Sequence, residues 1–456
     1  MYTRRRFLKK LFNCVVTGSF VSGWAYGRKK KKKKKPANIV LILADDLGYE
    51  CLGANGGTSY QTPVLDDLAI NGVRFEYCYS QPLCTPSRVE IMTGMYNCRN
   101  YEGFGYLDPR QTTFANILKN AGYSTCIAGK WQLKGGYDAP GHFGFDEYCL
   151  WQLNRRTARY LNPGQEINGK QVDYSNGEYG PDVDSDYICD FMARKKDQPF
   201  FVYYPMILPH GPFLPTPDSP GWDTLKAGGK IPKDIKYFTH MVAYADKMVG
   251  KIIKKLEQLG LRQDTLVLFT SDNGTPNRIV SEWRGHQVSG GKGKGTDRGT
   301  HVPLIANWPG VVRAGVVSPD LVDFSDFLPT ICDCAGIQVP VPLVIDGQSF
   351  MPQLLGNRGE PRQWTYCWFA GSIFARTRRY KLYQTGKFYE LIDDPEETAP
   401  LDVNKLDIMA ANVYRMLTGV LEKYKGLHPE RKGTEETEET EETEDTEQAK
   451  KEKIKS

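Results

Sequence analysis

The sequence predicts an α/β fold: a largely parallel sheet sandwiched by helices, with a smaller C-terminal α+β subdomain. Three observations carry this. Short apolar runs bounded by polar residues, at Asn38–Ala44, Tyr123–Ala128 and Thr265–Thr270, have the length and composition of strands buried on both faces of a parallel sheet. Helical patterns separate them, and such alternation builds a sheet covered on both sides. Two of the runs lead into acidic clusters, Asp45-Asp46 and Asp272-Asn273, at the position where open α/β sheets place ligands.

The elements follow in order. Thr62-Pro63 opens a helix to about Asn71, because proline has the φ of a first helical turn and no N–H to leave unpaired. Val73–Tyr79 reads as a strand, and a second helix follows with Thr85 as its N-cap and Pro86 in its first turn. Thr112–Asn120 is helical ahead of the strand at Tyr123. Asp184–Arg194 is helical ahead of the strand Pro199–Tyr204, and Lys236–Leu259 forms a long amphipathic helix before Thr265. Val302–Asn307 is a further strand, and His301 just before it is placed to face the site or, the favoured reading, is a solvated or structural histidine. Beyond Gly336 the composition changes. Trp364–Phe369 and Arg379–Tyr383 alternate as antiparallel strands do, and Asp407–Tyr424 reads as a helix. Thr434–Glu447 repeats Thr-Glu-Glu, an acidic low-complexity tract that cannot bury a core and is expected to be disordered.

At 456 residues the chain can bury one large α/β core and a smaller unit. Its formal net charge of +5 is a poor guide to the core. Residues 1–35 hold thirteen Lys and Arg and no acids, and 434–456 hold ten acids against four lysines, so 36–433 is near neutral at −2. An anionic ligand must therefore be held by local cations, and nothing argues for nucleic acid. The eleven cysteines include no C-x-x-C pair, suggest no zinc site and license no pairing. Thr3-Arg4-Arg5-Arg6-Phe7-Leu8-Lys9 resembles the twin-arginine export motif. Leu11–Gly23 is too short and polar for a membrane span, and Ala25-Tyr26-Gly27 has small residues where a signal peptidase cuts, an uncleaved anchor being the alternative. A periplasmic or cell-surface protein of a bacterium is expected, exported folded by the twin-arginine machinery.

The chemistry concentrates in a few motifs. Asp45 and Asp46 repel each other unless a cation holds them; with Asp272 and Asn273 they offer hard oxygen ligands suited to Ca²⁺, and less to Mg²⁺, rather than to zinc. Cys84 stands at a helix N-terminus, which favours a sulfate or phosphate group, and Arg88 could hold a nucleophile's oxygens by charge-assisted hydrogen bonds. The run Cys84-Thr85-Pro86-Ser87-Arg88, with Thr93-Gly94, resembles the C-x-P-S-R-x-x-x-x-T-G signature of the sulfatase family, in which the cysteine is oxidised to formylglycine.

The resemblance implies the alkaline-phosphatase-like architecture of that superfamily and a set of roles. Asp45, Asp46, Asp272, Asn273 and the matured Cys84 would hold the metal. Gly129-Lys130-Trp131 resembles the family's G-K-W-H-L-G, whose lysine contacts sulfate; Lys292, in Gly290-Gly291-Lys292-Gly293, resembles the second sulfate-binding lysine, with Lys294 a close competitor. His210, in Leu208-Pro209-His210-Gly211-Pro212, resembles the histidine beside the leaving group. Cys84, Arg88, Lys130, His210 and Lys292 would form the catalytic set, and Lys130, Gln132, His210 and Lys292 would bind substrate. Gln132 is a departure: the family usually has there the histidine that acts as base in releasing sulfate, and glutamine cannot titrate.

The resemblance thus implies an exported sulfatase acting on a sulfated carbohydrate or aryl sulfate, matured by a formylglycine-generating or anaerobic sulfatase-maturating enzyme. Phosphonate monoester and phosphodiester hydrolases of the same fold, or a degenerate sulfated-glycan binding protein, stay open as alternatives. Trp131, Trp151, Trp222 and Trp283 are candidates for sugar stacking or for the core. The expected organisation is a signal segment at 1–27, a lysine-rich linker at 28–36, a sulfatase catalytic domain at 37–336, a C-terminal subdomain at 337–430 and the acidic tail at 431–456.

Overall fold

The structure, a computed structural model, describes residues 36–230, 233–369 and 371–428. The export motif, the lysine run and the acidic tail lie outside the described residues. Ten strands form one sheet: β1 (Asn38–Ala44), β2 (Val73–Tyr79), β3 (Ser124–Lys130), β4 (Glu147–Trp151), β5 (Gly164–Ile167), β6 (Lys170–Asp173), β7 (Phe200–Pro205), β8 (Thr265–Ser271), and, after a hairpin β9 (Val280–Trp283) and β10 (His286–Ser289), β11 (His301–Asn307) and β12 (Val316–Asp323). Their order is β12-β2-β11-β8-β1-β7-β3-β4-β5-β6. The central run from β8 to β4 is parallel throughout, while β11 and β5 run against their neighbours. The predicted fold class is borne out.

The period of two along β1 divides the core. Ile39, Leu41 and Leu43 face a cluster with Val89 and Ile91 of the helix Cys84–Thr93, Phe114 of the helix Phe114–Asn120 and Phe327 of the helix Phe327–Ala335. Val40, Ile42 and Ala44 face the opposite cluster, with Leu65 of Pro63–Ile70, Phe191 of Gly180–Arg194 and Met241 of Tyr237–Gln258. All seven residues of β1 are buried, which explains its nearly unbroken apolar run.

A second sheet, β13 (Thr365–Cys367), β14 (Phe374–Arg376), β15 (Tyr380–Tyr383) and β16 (Phe388–Glu390), is antiparallel. It packs with the helix Ile408–Tyr424, whose N-cap Asp407 accepts from the Ala410 N–H, around Tyr366, Leu382, Phe388 and Leu417.

Candidate active site

The site lies where the central parallel strands end. β1 delivers Asp45 and Asp46, β8 delivers Asp272 and Asn273, and β3 ends on Lys130 itself. Gly129 is required just before that lysine: its φ is +120°, and a Cβ would run into the Pro205 carbonyl of neighbouring β7. Gly274 is equally constrained, because a Cβ there would meet the Arg298 carbonyl. Asp46 has φ 69° and Gln132 φ 58°, conformations that cost a non-glycine residue about 1–3 kcal/mol and cluster at functional sites.

The helix carrying Cys84 begins one residue before the expected cap. Leu83 is the N-cap and Cys84 the first helical residue, so Thr85 is not a cap; its hydroxyl oxygen accepts from the Gly105 N–H at 3.2 Å. Pro86 is tolerated at the third position because the first four N–H groups of a helix have no intrahelical acceptor. Cys84 is fully buried.

Three buried carboxylates are each matched by one cation. Lys130 Nζ lies 2.9 Å from Asp45 Oδ2, Arg88 Nη2 2.7 Å from Asp272 Oδ2 and 3.7 Å from Asp45, and Lys292 Nζ 2.8 Å from Asp46 Oδ2. Burial pushes the Asp45 carboxyl up, yet Lys130, His210, Arg88 and Lys292 together outweigh it and hold Asp45 well below the usual carboxylate range. Asp272 goes the other way, raised by burial and by the neighbouring Asp45 and Asp46. Burial would lower the Arg88 guanidinium, but Asp272 and Asp45 keep it firmly charged.

These oxygens fit a divalent cation. Asp45 Oδ1 and Asn273 Oδ1 are buried acceptors with no hydrogen-bond partner, while Asn273 Nδ2 is committed to Asp46 Oδ1 at 2.7 Å and to Gly274 O at 3.0 Å. The Asp46 N–H donates to Asp272 Oδ1 at 3.1 Å, tying the two clusters together. Asp45, Asp46 and His210 can also bring one ligand atom each within 4.8 Å of one another. The hard-oxygen set is the better match for Ca²⁺ or Mg²⁺, since His210 is engaged elsewhere.

His210 Nε2 is 3.3 Å from Lys292 Nζ and 3.7 Å from Asp46 Oδ2; its Nδ1 is 2.9 Å from Arg159 Nη1 and 2.7 Å from the Gly211 carbonyl. Lys292 sits on a loop held by its own N–H to Thr275 O at 3.0 Å and by Asn277 Nδ2 to its carbonyl at 2.9 Å, and the Gly293 N–H donates to Pro82 O at 2.9 Å beside the Cys84 helix. Lys294 is exposed.

Thus Asp45, Asp46, Arg88, Lys130, His210, Asp272, Asn273 and Lys292 form one contact network, and Cys84 starts the helix that carries Arg88. Gln132 is 4% exposed and neither its Oε1 nor its Nε2 has a hydrogen-bond partner. His301 is structural: it stacks on Tyr49 at 4.1 Å between ring centroids, and its Nε2 is 2.7 Å from the Glu76 carbonyl. Trp131 and Trp151 are core residues, Trp222 is buried against Tyr179, and Trp283 is partly buried against Tyr49.

Sequence reasoning missed several supports. Arg159 is buried, stacks 4.2 Å over the Trp151 ring and meets His210. Lys381, on β15, donates to the Gly295 carbonyl and is 2.7 Å from Glu397, while Arg376 pairs with Asp297, so the small sheet braces the loop that carries Lys292. An isolated arginine or lysine in a chain this rich in both gave no signal.

Comparison with known proteins agrees with this geometry. The family model described as Sulfatase matches residues 37–337, and that described as N-sulphoglucosamine sulphohydrolase, C-terminal, matches 296–425. The chain is 32% identical over 394 residues to arylsulfatase A of Homo sapiens, covering 76% of this chain and 75% of that one. It is similar to the crystal structure of Ps i-CgsB, solved also in complex with k-i-k-neocarrahexaose, with TM-score 0.71 and 26% identity over 89% of this chain and 96% of that one. It shares the fold of the phosphonate monoester hydrolase of Agrobacterium radiobacter, with TM-score 0.62 and 22% identity over 86% and 96% of the two chains. The chain belongs to the sulfatase family of sulfuric ester hydrolases.

Proposed function

We propose that this protein is an exported sulfatase that cleaves sulfate esters of a sulfated carbohydrate, with Cys84 matured to formylglycine as nucleophile. The observation that carries the reading is the convergence of the Cys84 helix, the oxygens of Asp45, Asp46, Asp272 and Asn273, the buried Arg88 and Lys130, and the partly buried Lys292 at the ends of the central strands. The carbohydrate assignment is supported by the match of 296–425 to an N-sulphoglucosamine sulphohydrolase C-terminal region and by the likeness to Ps i-CgsB.

Asp45, Asp46, Asp272, Asn273 and the matured side chain at 84 would hold Ca²⁺, which supplies electrostatic stabilisation of developing negative charge. Formylglycine supplies, as its hydrate, the oxygen nucleophile. Lys130 and Lys292 bind and orient the sulfate, their ammonium groups offsetting charge on its oxygens as the sulfur is attacked. Arg88 holds the nucleophilic side chain from the same helix face by charge-assisted hydrogen bonds. His210 Nε2, beside Lys292, hands a proton to the departing alcohol oxygen, its ring held by Arg159. Gln132, lacking a titratable proton, leaves the base for sulfate release to another group at the site.

The test is turnover by protein matured in a host that converts a control sulfatase. Sulfated oligosaccharides and 4-nitrophenyl sulfate should be hydrolysed well ahead of bis(4-nitrophenyl) phosphate. Phosphodiester turnover exceeding sulfate turnover would assign the site to phosphorus, and binding without turnover would make it a glycan receptor. Export is tested by fractionating the native bacterium: the protein belongs in the periplasm or on the surface, and the cytoplasm alone would refute it.

A further inference from the structure

A second polar cavity, of about 200 Å³, adjoins the nucleophile helix. Gln132, Lys134, Gln152, Asn154, Arg155 and Arg156 line it, and no carboxylate does. Its attachment to the site is direct: the Gly105 N–H on its wall donates to Thr85 Oγ1 at 3.2 Å, next to Cys84, and the Lys134 N–H donates to the Gly105 carbonyl at 2.8 Å. Gln132 follows the sulfate-binding Lys130 by two residues.

We infer that this cavity is a subsite for a second anionic substituent, a sulfate or a carboxylate, on the sugar whose sulfate ester is cleaved; this rests on the carbohydrate-sulfatase reading. The volume admits a charged substituent with part of its ring. Gln132 is 4% exposed, held at φ 58°, and both ends of its amide lack a protein partner. Buried polar groups are nearly always satisfied, so an amide left with neither donor nor acceptor bond marks a place where a ligand completes the set. Its Nε2 can donate to an anionic oxygen while Oε1 accepts from an adjacent hydroxyl, a pairing that a single imidazole nitrogen does not offer. Arg155 is braced by Glu166 and Asp173, each at 2.9 Å, which leaves its buried Nη2 without a hydrogen-bond partner. Those two acids offset its charge; Lys134, exposed at the rim, and Arg156 add further positive groups to the lining.

The test measures discrimination with the mature full-length protein. One arm compares the ι-carrageenan disaccharide, with two sulfates, against the κ form, with one. The other compares a monosulfated chondroitin disaccharide with its carboxyl methyl ester. Wild type should favour the member with the additional anionic group by roughly 10- to 100-fold in kcat/KM in at least one arm, the scale of a charge-assisted hydrogen bond, and the arm responding identifies the substituent. Lys134→Ala and Arg156→Ala should each reduce that preference about tenfold, while Arg156→Lys retains most of it. No preference in wild type, or a preference that both alanine variants keep, overturns the inference. Should no sugar be turned over, the sulfatase reading fails separately; the same ratios, read as affinities of the Cys84→Ser protein by calorimetry, then judge the subsite alone.

Discussion

Replacing Arg88 with methionine removes a charge while keeping most of the stem's volume, and it tests the electrostatic design of the site. Both members of the Arg88–Asp272 pair are at most 1% exposed and 2.7 Å apart. At an effective dielectric of about 20 their gross attraction is on the order of 6 kcal/mol. Desolvation of both groups cancels much of this, but removing one partner leaves a buried charge, and such changes cost about 3–5 kcal/mol. Asp272 is already pushed up by burial and by Asp45, and losing Arg88 raises it further. Burial and its acidic neighbours raise Asp272 to about 8, so it is charged in the wild-type fold only as pH rises through that value, and the penalty for losing Arg88 grows there and shrinks as pH falls and Asp272 takes up a proton. Urea unfolding in the presence of EDTA should show a loss of about 3–5 kcal/mol at pH 9 and a visibly smaller gap at pH 7. A loss under about 1 kcal/mol at pH 9, or a gap that does not narrow toward pH 7, would refute the pairing argument.

The other predictions touch separate parts of the molecule. Cys84→Ser, matured aerobically, should lose several decades of sulfate ester turnover in a continuous aryl sulfate assay. Gln132→His should raise kcat by roughly 10- to 100-fold and remove a burst in which alcohol product appears ahead of free sulfate in stopped-flow traces. Burial pushes the His301 imidazole down to about 4, so the stability tied to its neutral form is complete above its ordinary pKa of 6.5 and is lost as pH falls toward 4. Wild type should therefore lose about 2 kcal/mol more than His301→Gln between pH 7 and pH 5 in denaturant melts. Chelation by EDTA should abolish turnover, and added Ca²⁺ should restore it and raise the melting temperature in a concentration-dependent way.

Much of this was legible because the sheet puts chemistry at the ends of its strands. Asn38–Ala44 and Thr265–Ser271 are buried on both sides, so their apolar runs stop where the acids begin, and the proposed ligand set can be read from the break. The strand before Lys130 runs two residues past the apolar run that predicts it, because close approach to Pro205 keeps Gly129 inside the strand. β12 was missed since Pro319 interrupts its pattern, and it survives at the edge of the sheet with a register shift between Ser318 and Leu321. The hairpin β5–β6 lacks an apolar stretch, and pairing with β4 supplies what propensity does not. The position of Pro86 points to Thr85 as a cap, but any residue of the first turn can be proline. Arg159, Lys381 and the cavity beyond Gln132 depend on contacts between distant segments, and no local pattern encodes them.

The most direct test of the central claim is the mass of the tryptic peptide Phe75–Arg88 from protein expressed in a host that matures a control sulfatase. The account predicts that Cys84 has lost its sulfur and carries an aldehyde oxygen, seen as the aldehyde peptide or its hydrate. Recovery of the thiol alone, while the control is converted, would contradict it.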